Sequence, residues 1–262
     1  MRQVWNSGNR AIALKVTIKC EGQKRFFLVV SETDKPNSNY AKREAIVDGE
    51  RSVIFSFPIT PQNMTIGIFN MANKSDLAFQ VSCEEIPLKT YNIWLDEESM
   101  DFLKLNFYFS QVCGFESASK NGRPFSSSDG KFNIKYYPVI IDYMKGQALT
   151  TPARIGHQTG NIEVAKCRFD KYTFAERVVI LLHEYSHKYR NPKLGFAIGN
   201  ETGADINALY IYLGLGFSKI DAINVFANVF LKAQTPGNIK RMRAIMNYIV
   251  KFENGDFAQL AA

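Results

Sequence analysis

The stretch of this chain most capable of chemistry is residues 178–189, VVILLHEYSHKY. It holds His183, Glu184 and His187 in the pattern H-E-x-x-H. On a helix, positions four apart project from one face, so His183 and His187 can each aim a ring nitrogen at a single cation. Glu184 sits about 100° further round, where it flanks that cation and can reach a water beside it. A helical wheel gathers Val178, Leu181, Leu182, Tyr185 and Tyr189 on one side, and Ile180, His183, Glu184 and His187 on the other. The first side should face a core and the second should line a cleft. Two histidines on a merely solvated face would show the same spacing. The chain, however, has three histidines in all, and two are in this motif.

A catalytic zinc site needs a third protein ligand and leaves its fourth position to water. Glu201 and Asp205 follow downstream, again four apart on what reads as a helix. Either carboxylate could complete the set. The plain alternative is that both are acids favoured near a helix start, with Asn200 as an ordinary N-cap. The order H-E-x-x-H on one helix and E-x-x-x-D on the next resembles the gluzincin zinc peptidases. That resemblance covers residues 132–213, with looser support from 99–112, and the short link from His187 to Glu201 fits the compact members. It implies Zn2+ held by His183, His187 and Glu201, with Asp205 holding the first histidine. It also implies a zinc-activated water, Glu184 as general base, and a peptide or protein substrate. In such enzymes an extended substrate pairs with a strand at the open edge of a small sheet. Asn161, Ile162, Glu163 and Val164 stand at the expected place, where an ordinary hairpin strand reads equally well. No residue stands out as the donor to an oxyanion among His157, Tyr189, Arg190, Tyr210 and Tyr212. Cys167 reads as a buried thiol rather than a ligand.

The elements that must position these groups are legible in part. Thr173 and Glu176 form a capping box that starts the ligand helix, which should run to about Arg190 and stop at Asn191–Pro192. Ser218 with Asp221 starts a helix to about Lys232, and Thr235–Pro236 opens one through about Phe252. Upstream, residues 99–112 read as a helix, 121–130 as a loop, and 132–143, 153–157 and 161–166 as strands. Before residue 95 the period is two. Segments 11–19, 25–31, 52–57, 64–70 and 77–83 alternate apolar and polar residues between turn-rich stretches such as 34–39. The predicted fold class is therefore α+β. An all-β sandwich-like module over 1–95 precedes a zincin-like, mainly helical domain with a small sheet over 96–262.

Composition narrows the partners. With 46% hydrophobic and 22% charged residues, the 262-residue chain has ample material for a core. The net charge of +7 is spread over scattered lysines and arginines, with short clusters such as Lys240, Arg241 and Arg243, so no nucleic acid is expected. Four cysteines, Cys20, Cys83, Cys113 and Cys167, are too far apart for a metal knuckle and read as free thiols. No signal-like or membrane-spanning run is seen, which points to a cytoplasmic or intracellular protein with no membrane partner. The alternative to an enzyme is an assembly protein, for example a virion component of a phage tail or neck. It would keep the zincin-like domain as scaffold and dock protein partners through the β-module.

Overall fold

Leu14, Val16, Ile18, Phe26, Leu28 and Val30 are all fully buried, and all share one parity along the chain. In the computed structural model, which describes residues 1–71, 78–142, 144–156, 158–189 and 200–255, they lie on one long strand. The strands are β1 (Arg2–Asn6), β2 (Ile12–Glu32), β3 (Lys35–Phe57), β4 (Asn63–Asn70) and β5 (Phe79–Ile86). They form a single antiparallel sheet in the order β1-β4-β2-β3, and β5 pairs with the first half of β2. The separate strands expected at 11–19 and 25–31 are therefore one element, joined across a register shift between Cys20 and Lys24. The expected turn at 34–39 is likewise largely absorbed into β3. The reason is phase: the shift leaves the same face inward on both sides, so nothing forces the strand to end. Phe79, which opens β5 beside the middle of β2, packs its ring on that of Phe26 at 5.1 Å. The module is all-β, as expected, and its five strands belong to one hydrogen-bonded sheet where a sandwich-like module was expected.

The remainder is mixed, so the fold class is α+β. Helix α1 (Glu97–Val112) starts where Asp96 accepts a hydrogen bond from the Ser99 N–H. Strands β6 (Arg123–Ser126), β7 (Asn133–Tyr137), β10 (Ala153–Ile155) and β11 (Ile162–Ala165) form a sheet in the order β10-β11-β7-β6. β11 and β7 run parallel, and the other neighbours run antiparallel. A two-stranded ladder joins β8 (Ile141–Asp142) and β9 (Gln147–Ala148). β6 lies inside the segment expected to be a loop, because its backbone finds the free side of β7. The strand expected over 132–143 breaks after Tyr137. The short helix α2 (Lys166–Phe169) leads into α3 (Phe174–Ser186), followed by α4 (Glu201–Gly214), α5 (Lys219–Val225), a π-helical turn (Phe226–Phe230) and α6 (Pro236–Glu253). No helix among the described residues is long and apolar enough to cross a membrane.

The chain divides into two compact units. One comprises Met1–Tyr91 with Leu215–Ser218, and the other Asn92–Gly214 with Lys219–Ala262. The first boundary lies close to the expected 95/96. The return of Leu215–Ser218 to the first unit has no local signal in the sequence.

Candidate metal centre

Helix α3 begins as its sequence dictates. The Thr173 hydroxyl accepts from the Glu176 N–H at 3.3 Å, and the Glu176 carboxylate accepts from the Thr173 N–H at 2.8 Å. Twelve of its thirteen residues, from Phe174 to Ser186, are buried. The expected division into a core side and an open cleft side fails here. Ile180 is fully buried, and His183, Glu184 and His187 are 2%, 6% and 8% exposed. α1, α4 and α5 all pack on this helix, together with β10 and β11, so the histidine face is covered as well. On the α1 side, Tyr185 stacks on Phe102 at 4.2 Å and its hydroxyl meets that of Ser99 at 3.1 Å. The helix ends at Ser186, short of Arg190, with His187 as its C-cap; residues 190–199 lie outside the described residues.

α4 is tied to α3 by buried polar bonds. Ser186 Oγ donates to the Leu182 carbonyl at 2.6 Å, and Asn207 Nδ2 donates to Ser186 Oγ at 2.8 Å. Asn200 caps α4, accepting from the Gly203 N–H at 3.2 Å, as its type suggests. This arrangement places Glu201 opposite the two imidazoles. The Nε2 atoms of His183 and His187 are 3.1 Å apart, and the Glu201 carboxylate oxygens lie 3.7 and 3.6 Å from them. Ligand atoms about 2.0–2.1 Å from a tetrahedral zinc stand roughly 3.3 Å from one another. Two imidazoles and a carboxylate at this spacing fit such an ion, and this trio is the metal-competent group among the described residues. Asp205 does not join it. Its carboxylate, fully buried, lies behind His183, where Nδ1 comes within 2.9 Å of Oδ1, off the line of an ideal hydrogen bond. That contact leaves Nε2 as the nitrogen facing the site.

Three further groups complete the surroundings, and none was picked out in the sequence. Arg241, from α6, donates through Nε and one terminal nitrogen to both Asp205 oxygens at 2.9 Å. The same terminal nitrogen reaches Glu201 Oε2 at 3.1 Å. Its signal was indirect: a buried carboxylate requires a cation, but the sequence does not say which. Phe230 lies against the His183 ring at 4.0 Å. It is put there by the π-helical turn, closed by the Leu231 N–H bonding to the Phe226 carbonyl at 2.9 Å, where an unbroken helix to Lys232 was expected. Turns of this kind concentrate at functional sites. The third is Ile155 of β10, whose backbone N–H faces Glu184 and favours its charged form. Burial holds the Glu184 carboxyl up at about 7, against the opposing pull of His183. Burial alone would disfavour a charged His183, but the Asp205, Glu184 and Glu201 carboxylates outweigh it and raise its pKa.

The expected substrate strand needs correction. Ile162, Glu163 and Val164 belong to β11, which is paired on both sides, with β10 and with β7, and has no free edge. Asn161 precedes it, and its carbonyl accepts from Gly156. The edge strand beside α3 is β10. The Gly156 N–H and the Pro152 carbonyl bond toward the β11 side, so with period two Ala153 and Ile155 present their backbone groups outward. Of the oxyanion candidates, Tyr210 accepts from the Trp94 N–H, Tyr212 is fully buried, and Tyr189 stacks on Tyr185 at 5.1 Å. His157 and Arg190 lie outside the described residues. Cys167 is exposed on α2 rather than buried, and it is not part of the metal-competent trio. Comparison with protein-family models, with curated proteins and with solved structures gave no match.

Proposed function

We propose that this protein is a zinc-dependent hydrolase that cleaves peptide bonds. The observation that carries this reading is the convergence of His183 Nε2, His187 Nε2 and the Glu201 carboxylate, whose two oxygens lie 3.7 and 3.6 Å from the respective rings, with Glu184 next in sequence to His183. Zinc held by these three residues would supply Lewis acidity, polarising a carbonyl and easing deprotonation of a water. The chain's own groups do the rest. Glu184, with a carboxyl near 7, is matched to accept a proton from the attacking water and return it to the leaving amine at neutral pH. Asp205 and Arg241 hold His183 in one orientation. The outward backbone of β10 offers an extended peptide a partner, with the Ile155 N–H marking the point nearest Glu184.

The test is a comparison of purified wild-type protein with Glu184→Gln. Both should bind one zinc per chain by elemental analysis. The variant should lose turnover on a peptide library by about 100-fold or more. Equal cleavage by both forms, or a chain that takes up no zinc, overturns the reading. A zinc-bearing protein that cleaves nothing and forms a stoichiometric ring would favour the scaffold alternative.

A further inference from the structure

Phe230 has a second neighbour besides His183. It forms part of the wall of a cavity of about 560 Å³ whose other walls carry Arg168 of α2, Lys171 in the turn behind it, and Lys232 beyond the π-helical turn. Thr150 and Asn228 add neutral polar groups, and no Asp or Glu lines the cavity. The nearby acids are engaged elsewhere: Asp170 by Lys166 at 2.9 Å and by the Tyr136 hydroxyl, and Glu176 in the cap of α3. None of the three cations makes an ion pair among the described residues.

Like charges gathered round one hollow repel, and a concave wall focuses their field. Such a surface is complementary to an anion. The volume lies within the range of small-ligand sites, and an aromatic wall with a cationic rim suits a short methylene stem ending in a carboxylate. A single side chain, Phe230, separates this hollow from a ligand of the metal site. We propose that the cavity is a specificity pocket that takes an acidic side chain, Asp or Glu, of a peptide substrate close to the bond that is cut. The proposal rests on the hydrolase reading for its link to cleavage, but not for the binding itself.

The experiment uses zinc-loaded Glu184→Gln protein and blocked alanine hexapeptides carrying one Glu, or one Gln, at each position in turn. Calorimetry should show at least one position where Glu binds about tenfold more tightly than Gln. That preference should shrink in 0.5 M salt. It should vanish in the Lys171→Glu/Lys232→Glu double variant, whose substituted residues are solvent-exposed and whose thermal melt serves as the folding control. No Glu preference at any position overturns the proposal, as does a preference that the double variant retains. Inorganic phosphate binding as tightly as the best peptide overturns it in favour of a free-anion site. If the Glu preference holds while wild-type protein cleaves none of these peptides, the hydrolase reading fails and the pocket stands.

Discussion

Arg241 closes a line of polar contacts that runs from the candidate metal site through His183 and Asp205. Asp205 is fully buried and the Arg241 side chain 15% exposed, so the guanidinium is what makes the buried carboxylate tolerable. Arg241→Ala should cost about 3–5 kcal/mol in urea unfolding, because it strands that charge. Zinc titration should show affinity falling about 10–100-fold, since His183 loses its orienting partner. Lysine should rescue little, because it cannot make the two-pronged contact. A second residue gives a pH signature. Burial pushes the Cys113 thiol up to about 11 from 9.0, which lowers its thiolate fraction at pH 8 about a hundredfold. Alkylation at pH 8 should therefore label exposed Cys167 at once and Cys113 only on unfolding. With the folded value above the unfolded one, Cys113's contribution to stability is intact below pH 9 and is lost as pH rises through 11. At this scale the pairs His183/His187 and Glu201/Asp205 were legible as candidates because each is spaced four apart on a helix, but which carboxylate faces the imidazoles depends on how α4 packs on α3 and was suggested only by the family resemblance. Arg241 was not legible, since its pairing with Asp205 is made only in the folded chain, 36 residues on.

At the scale of elements, α3 owes its start to a signal written in four residues. Thr173→Ala removes one half of the capping box and should lower stability by about 1 kcal/mol in chemical denaturation, with metal content unchanged. Caps of this kind made the starts of α3, α4 and α6 readable, because each bond is made within a turn. The far ends were not readable in the same way. α3 stops at Ser186, and the helix from Lys219 gives way to the π-helical turn, where an extra residue in one turn brings Phe230 to His183. The strand carrying the outward edge was misassigned for a related reason. Residues 153–155 and 161–166 both read as strands, but which of them is interior depends on the parallel pairing of β11 with β7, a tertiary fact invisible to local pattern.

At the scale of the molecule, the all-β and mixed halves could be told apart by the change of hydrophobic period, whereas the pairing of β4 and β5 with successive halves of β2 could not. Two compact units with separate cores predict two calorimetric transitions. A chelator should lower the temperature of one of them, and restoring zinc to 100 times its dissociation constant should return about 2.7 kcal/mol to that unit alone. A single transition that shifts as a whole would contradict this. The three proposed ligands also differ in how deeply they are set: the imidazoles are almost wholly enclosed, while the Glu201 side chain is 52% exposed. The carboxylate, paired on its protein side with Arg241 at 3.1 Å, is the one proposed ligand open to solvent. Exchange of the ion would begin with that one arm letting go, so trimming it to Asp or Ala should speed escape of the metal far more than it disturbs the two-nitrogen seat left behind.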